Sequence, residues 1–162
     1  MNKDLVKQFN DQVNREIFSA YLYLSMASYF DSIGLEGFAK WMKVQAKEEF
    51  GHAMRIYDFL IDLGEKVTFD KIEKPEDNFK SVIDVFEKTL EHEKKITKNI
   101  ENLYSLAKEK NDYQAEVFLH WFINEQVEEE KQAKIIIEKL KKIEGREYLI
   151  LMFDKEMGKR EG

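Results

Sequence analysis

The stretch Ala46-Lys-Glu-Glu-Phe-Gly-His-Ala53 interrupts the apolar stripe of a predicted helix with two groups that can bind a metal. Within this predicted helix, which runs from about Leu35 to Leu63, apolar residues recur every three or four positions, the periodicity of an α-helix. Glu49 and His52 are three residues apart, so both point to the same side of the helix. A charged side chain on a core-facing stripe is costly unless it is paired or coordinates a metal. The interruption therefore indicates a buried polar site.

Three further segments carry an interrupted stripe of the same kind. The predicted helices run from about Asp4 to Ser32, from Val82 to Ala107 and from Ala115 to Leu140. Their stripes are broken near mid-length by the following residues: Glu16 in the first, Glu93 in the next, and Gln126 with Glu129 in the last. Antiparallel helices of similar length align at their midpoints, so the four interruptions are expected to meet at one height.

The connections between these segments predict an all-α fold, a four-helix bundle. Short connections make the first two helices, and likewise the last two, antiparallel neighbours. The middle connection, from Glu65 to about Asn78, can extend over roughly 45 Å and so cross the length of the bundle. A short apolar stretch, Tyr148 to Phe153, predicts a fifth helix of about ten residues. We therefore expect a bundle with one long crossover and a short C-terminal helix, with residues 1–162 forming one domain.

Composition agrees with this architecture and excludes several classes of function. The chain has 162 residues, 43% of them hydrophobic, with 7 glycines and 1 proline, which favours a sizeable core and long helices. It has no cysteine, which excludes disulfides, zinc–thiolate sites and iron–sulfur clusters. The net charge is −6 and the charges are interspersed, so no nucleic-acid partner is indicated. Neither a secretory signal nor a membrane span of roughly 18 apolar residues is visible, so we expect a cytoplasmic protein with no membrane partner.

The residue types at the interruptions indicate an iron site. A glutamate from each of two helices, combined with Glu-x-x-His-type pairs from the other two, can hold two irons inside a bundle. Carboxylate oxygens suit Fe(III), and imidazole is tolerated by Fe(II). A second acidic layer lies beside the first, and a third ion could be held by Glu48, Glu125, Glu128 and Glu129.

Each of these residues also has a structural interpretation when it is taken alone. Glu-x-x-His on a helix rich in Lys and Glu is usually a solvated face. Glu93, flanked by charged residues, could be exposed, and Gln126 could be a satisfied core amide. Tyr23 and Trp121 fit ordinary core aromatics. The two histidines that lack the spacing to join the set, His92 and His120, fit surface or packing positions.

The segments that carry these residues resemble the non-haem ferritins of bacteria and archaea. The resemblance rests on three stretches, Asn14-Arg-Glu-Ile-Phe-Ser-Ala-Tyr-Leu-Tyr23, Ala46–Ala53 and Phe122-Ile-Asn-Glu-Gln-Val-Glu-Glu-Glu130, and it covers the whole chain. It implies a homo-oligomeric shell of 24 subunits that stores ferric oxyhydroxide. It also implies that the last helix, from Tyr148 to Gly158, lines the fourfold axes.

The same resemblance implies roles for individual residues. Glu16, Glu49 and His52 would hold the first iron. Glu49 would bridge to a second iron that Glu93 and Glu129 help to hold, with Gln126 close by. A third iron would be held by Glu48, Glu125, Glu128 and Glu129. Tyr23 matches a tyrosine near the two irons, a candidate electron donor.

This chain departs at two places from the bacterioferritins, the related branch that binds haem. Bacterioferritins have Glu-x-x-His where this chain has Gln126-x-x-Glu129, and Gly51 stands where that branch has its haem-ligating Met. The resemblance therefore implies that no haem is bound. A neutral amide at Gln126 further suggests a looser hold on the second iron.

We therefore expect an iron-storage ferritin with ferroxidase activity, with Fe(II) and O2 as substrates. One alternative is a solitary diiron oxidase or peroxidase that does not store iron. Another is a non-enzymatic helical interaction module whose glutamates are structural. Native mass and aerobic Fe(II) oxidation distinguish the three.

Overall fold

The computed structural model describes residues 1–162 and contains five α-helices and no strands. The helices are α1 (Lys3–Ser32), α2 (Glu36–Asp62), α3 (Val82–Glu109), α4 (Tyr113–Lys142) and α5 (Glu147–Met157). The predicted all-α fold with a short fifth helix is confirmed. None of these helices combines the length and the apolar character that a bilayer span requires.

Local sequence fixes the ends of the long helices. Asn2, Ser81 and Asp112 cap α1, α3 and α4, because their side chains accept hydrogen bonds from free backbone N–H groups of the first turn. Gly34 and Gly64 follow α1 and α2 with φ of 77° and 75°, a conformation that favours glycine.

The long connection between α2 and α3 runs along α1. At one end, Asn10 on α1 accepts a hydrogen bond from Thr68 N at 2.7 Å and donates to the Lys66 carbonyl at 3.4 Å. Further along, Ser25 on α1 donates to the Glu76 carbonyl at 2.5 Å. Asn10 and Ser25 are separated by roughly 22 Å of helix at 1.5 Å per residue. The connection therefore crosses much of the length of the bundle, as the sequence predicts.

The apolar core is divided into two clusters. One contains Phe30, Phe38 and Phe86, and the other contains Phe9 and Phe122. Both clusters draw residues from α1, α2, α3 and α4. Between them lies a layer of polar side chains at mid-length, where the four stripes are interrupted.

Helix α5 packs against the beginning of α2. The ring centroids of Phe38 and Phe153 are 5.5 Å apart. Leu35 cannot cap α2 with its side chain, and instead Asp154 on α5 accepts a hydrogen bond from Phe38 N at 2.8 Å. A Cβ at Gly37 would lie 1.7 Å from the Asp154 carbonyl oxygen, so only glycine permits this approach.

We expect Gly37→Ala to displace α5 and remove the cap of α2. The obstacle is backbone, which cannot move aside as a flexible side chain would, so the cost should be about 1–3 kcal/mol of unfolding free energy. Denaturant unfolding of chelator-treated protein measures it. Lys40→Ala, at an exposed position one turn later, is the control and should change stability by less than about 0.5 kcal/mol. Equal unfolding midpoints for the two variants would contradict the proposed packing.

Candidate metal centre

Polar side chains from α1, α2, α3 and α4 fill the space between the two apolar clusters. None of them is more than 6% exposed; they are Glu16, Gln45, Glu49, His52, Glu93, Gln126 and Glu129. The six residues predicted for the inner site are all in this layer. Their burial excludes a solvated face as the explanation of the Glu-x-x-His pair.

The first group of metal-binding atoms comes from Glu16, Glu49 and His52, and these atoms lie within 4.8 Å of one another. His52 Nδ1 is 3.3 Å from Glu49 Oε2 and 3.8 Å from Glu16 Oε2. Glu16 Oε2 and His52 Nδ1 are buried and have no hydrogen-bond partner. Buried polar atoms are rarely left unpaired. A cation between them would satisfy both atoms, so the donor set fits a metal.

A second group shares one of these glutamates. Oxygens of Glu49, Glu93 and Glu129 lie within 4.8 Å of one another, so Glu49 belongs to both groups. Glu93 is buried, which excludes the exposed position considered for it. Gln126 donates hydrogen bonds to Glu93 Oε2 at 3.1 Å and to Thr97 Oγ1 at 3.2 Å. The neutral amide therefore holds Glu93 in place rather than adding a charge.

The residues assigned to a third iron are only partly brought together. Glu125 and Glu129 form a group with His52, whose Nε2 is 3.9 Å from Glu125 Oε1. Glu48 and Glu128 are exposed and lie outside every such group, and Glu48 forms an ion pair with Arg160 at 2.9 Å. The third iron site stays a prediction.

Burial shifts the proton affinities of the centre. It raises the pKa of Glu49 well above its ordinary value, that of Glu93 to about 7 and that of Glu129 to about 8. Burial lowers the pKa of His52, but the carboxylates of Glu16 and Glu49 outweigh it and raise that pKa to about 11. Burial also opposes ionisation of Glu16, yet His52 keeps its pKa below the ordinary value. The metal-free centre therefore retains protons near neutral pH.

Tyr23 is an aromatic residue in direct contact with the centre. It is fully buried and donates a hydrogen bond to Glu93 Oε1. Burial and the neighbouring carboxylates raise its pKa well above 10, so it keeps its proton. Trp121 packs edge-on against His52 with centroids 5.4 Å apart. His92 contacts Ser19 Oγ at 2.7 Å and lies outside the metal groups, as its spacing predicts.

Two buried glutamines, for which the sequence predicted no role, complete the surroundings of the centre. Gln12 donates to Glu16 Oε1 at 2.9 Å, and Gln45 donates to Glu49 Oε1 at 2.7 Å. Each glutamine precedes its glutamate by four residues, one helical turn. This repeated Gln-x-x-x-Glu spacing is the signal that could have identified them.

Comparison with known proteins identifies the family of the chain. The family model of the ferritin-like domain matches residues 6–143. The chain belongs to the ferritin family. It is 39% identical to the bacterial non-heme ferritin of Staphylococcus haemolyticus, covering 99% of this chain and 96% of the relative. It is 36% identical to the protein of the same name from Staphylococcus aureus over the same shares.

Solved structures agree with the fold of this ferritin over its whole length. An open-pore ferritin from the hyperthermophilic archaeon Archaeoglobus fulgidus superimposes with a TM-score of 0.98 at 45% identity, covering 99% of each chain. A humanized archaeal ferritin superimposes with a TM-score of 0.99 at 44% identity, covering 100% of this chain and 99% of the other. The predicted resemblance to non-haem ferritins is confirmed.

We expect metal binding at the centre to release protons and to strengthen as pH rises. The raised pKa values of Glu93 and Glu129 mean that both carboxylates are substantially protonated below pH 7 to 8, and a protonated carboxyl group binds metal poorly. Each displaced proton should contribute about tenfold in affinity per pH unit below the pKa concerned. Calorimetric titration with redox-inert Zn(II) at pH 6, 7 and 8, in buffers of different ionisation enthalpy, counts the protons released.

Glu129→Gln provides the control for this titration, since its side chain has no proton to release. It should release fewer protons per subunit than the unaltered protein. Affinity that does not change between pH 6 and pH 8 would contradict the assigned pKa directions.

Proposed function

We propose that this ferritin oxidises Fe(II) with O2 at the centre between the two apolar clusters and stores the Fe(III) as an oxyhydroxide mineral. The observation that carries the proposal is the sharing of Glu49 between two buried donor groups. A shared carboxylate allows two ions to bind side by side, and the two then supply two electrons to one O2 molecule. Glu16 with His52 would complete the first position, and Glu93 with Glu129 the second.

The charges of the centre support two Fe(II) as the substrate. Four carboxylates, those of Glu16, Glu49, Glu93 and Glu129, offer four negative charges when ionised. Two Fe(II) ions carry four positive charges, so the buried layer becomes neutral when His52 also gives up its proton. Two Fe(III) ions carry six positive charges, and the excess needs anions derived from water. Oxidation therefore favours hydrolysis and the departure of Fe(III) to a mineral.

Tyr23 supports the second position through Glu93. Its hydroxyl donates to Glu93 Oε1, while Gln126 donates to Glu93 Oε2, so both oxygens of this carboxylate are held. We assign Tyr23 a second role as an electron donor to the oxidation, because it is fully buried and lies next to a ligand of the second position. The proposal also includes a third iron position, a transit site held by Glu48, Glu125, Glu128 and Glu129. Iron can bind there only when Glu48 breaks its ion pair with Arg160.

Unpartnered apolar surface supports assembly into a shell of 24 subunits. Helix α2 carries a second apolar stripe that points away from the core, with Phe50, Met54 and Ile61 exposed by 51%, 37% and 48%. Their spacing of four and seven residues places them on one face. Helix α5 exposes Tyr148 and Met152 in the same way. Exposed apolar side chains grouped on one helix face in this way are typical of an interaction site.

The proposal treats residues 1–162 as one domain, because all four long helices contribute to both apolar clusters and to the centre. It includes a cytoplasmic location, where Fe(II) is available to the shell. The proposal includes no haem cofactor, no nucleic-acid partner and no membrane partner.

Glu49→Gln should slow aerobic Fe(II) oxidation at least tenfold. It removes the one charge shared by both positions, and even loss of outer partners of a metal site costs roughly 10–100-fold. Stopped-flow absorbance of ferric species in the near ultraviolet measures the rate. Glu91→Gln makes the same change at an exposed position on α3 and is the control. Equal rates for Glu49→Gln and the unaltered protein would refute the proposed ferroxidase centre and favour a structural role for the glutamates.

Native mass spectrometry should give an assembly of 24 subunits of 19.4 kDa. Ile61→Glu places a charge in the outward stripe of α2, where burial in a subunit contact would be costly, and should shift the mass to smaller species. Lys108→Glu, at an exposed polar position on α3, is the control and should leave the mass unchanged. A stable monomer or dimer of the unaltered protein would instead favour the solitary diiron oxidase.

A further inference from the structure

A single amide nitrogen connects two of the carboxylates in the centre. Gln45 is 1% exposed, and its Nε2 donates to Glu49 Oε1 at 2.7 Å and to Glu129 Oε2 at 2.9 Å. These carboxylates come from different helices, α2 and α4, and both belong to the second group of metal-binding atoms. Gln45 therefore sets the distance between the carboxylates of Glu49 and Glu129, which both belong to the second position.

The orientation of this amide decides whether it stabilises or repels the carboxylates. Turned by 180°, Gln45 would present its oxygen to the oxygens of Glu49 and Glu129, which repel it once these groups ionise to bind metal. In the structure, Arg160 Nη2 donates to Gln45 Oε1 at 2.9 Å. A guanidinium group has only donors, so it binds the oxygen end of the amide and directs the nitrogen end to the carboxylates.

Arg160 is itself fixed by three further contacts. Its Nη1 donates to the Trp41 carbonyl at 3.1 Å, and its guanidinium carbon lies 4.2 Å from the centroid of the Trp41 ring. Its Nη2 also pairs with Glu48 at 2.9 Å. A planar, stacked guanidinium that makes several directed bonds is not replaceable by the point charge of a lysine. Residue 160 lies beyond α5, so a segment outside the four-helix bundle reaches the surroundings of the centre.

The first group of metal-binding atoms has the same arrangement. Gln12 donates to Glu16 Oε1, and Arg15 Nη1 donates to Gln12 Oε1 at 3.3 Å. In both cases an arginine holds the oxygen of a buried glutamine, and the glutamine nitrogen holds a metal-binding glutamate. The recurrence indicates a common requirement, which is to hold the metal-binding carboxylates in place as they ionise and take up metal.

We propose that Arg160 is a positioning residue for the second metal: through Gln45 it holds Glu49 and Glu129 in the arrangement that accepts the ion. The inference rests on the proposed function of the centre as a site for two metal ions. Outer partners of metal ligands typically change metal affinity by roughly 10–100-fold. Loss of Arg160 should therefore weaken the second binding step more than the first, because Gln45 holds two carboxylates of the second donor group and only one of the first.

Calorimetric titration of the full-length, metal-free protein with Zn(II) tests this role. Arg160→Met keeps an unbranched stem against Trp41 but removes all donors, and the second binding step should weaken roughly tenfold or more. Gln45→Leu should weaken the same step at least as much. The double variant should bind no more weakly than Gln45→Leu alone, because two residues that act through one contact do not have additive effects. A merely structural contribution of Arg160 would add to that of Gln45.

Lys159→Met is the matched control, since Lys159 is exposed, neighbours Arg160 and donates no side-chain hydrogen bond. It should bind Zn(II) as the unaltered protein does. Native mass and circular dichroism check assembly, with Arg160→Lys and Gln45→Met replacing any variant that does not assemble. An unchanged second step in Arg160→Met, or additive losses in the double variant, would overturn the positioning role alone. Unaltered protein that binds no Zn(II) at the centre would overturn the proposed function itself.

Discussion

The structure depends on keeping carboxylates ionisable in the middle of an apolar bundle. Glu49, Glu93 and Glu129 have raised pKa values because burial disfavours their charged forms. Such a layer contributes little to stability by itself, so the free energy that holds the helices together must come from elsewhere. The two apolar clusters above and below the layer supply it, and their division follows directly from the polar layer between them.

The same constraint requires the four helices to stay in register. A shift of one helix by a single turn would move its carboxylate by about 5.4 Å, more than the 4.8 Å that spans each donor group. Contacts between different segments fix the register: Asn10 on α1 holds Lys66 and Thr68 of the crossover, and Asp154 on α5 holds Phe38 at the beginning of α2. These ordinary contacts have a functional consequence, because they set the positions of the metal-binding atoms.

The sequence was sufficient to predict the helices, the crossover and the meeting of the interrupting residues in one buried layer, because all of these leave local patterns. Periodicity gives the helices, and Glu-x-x-His spacing gives a shared direction for Glu49 and His52. The contacts that the sequence did not reveal join residues far apart in the chain. Asp154 caps α2 at Phe38, 116 positions away, and Arg160 reaches Gln45 across 115 positions. No local pattern carries such information, because it arises only when α5 packs at Gly37.

Helix α2 connects the centre to the surface that we propose for assembly. Its inward face carries Glu49 and His52, and its outward stripe begins at Phe50, the residue that follows Glu49. An α-helix transmits displacement along its length because its backbone hydrogen bonds hold it as one body. A subunit contact on the outward stripe would therefore also fix the position of Glu49, the carboxylate shared by both donor groups. The proposed assembly and the geometry of the centre would then both depend on the position of one helix.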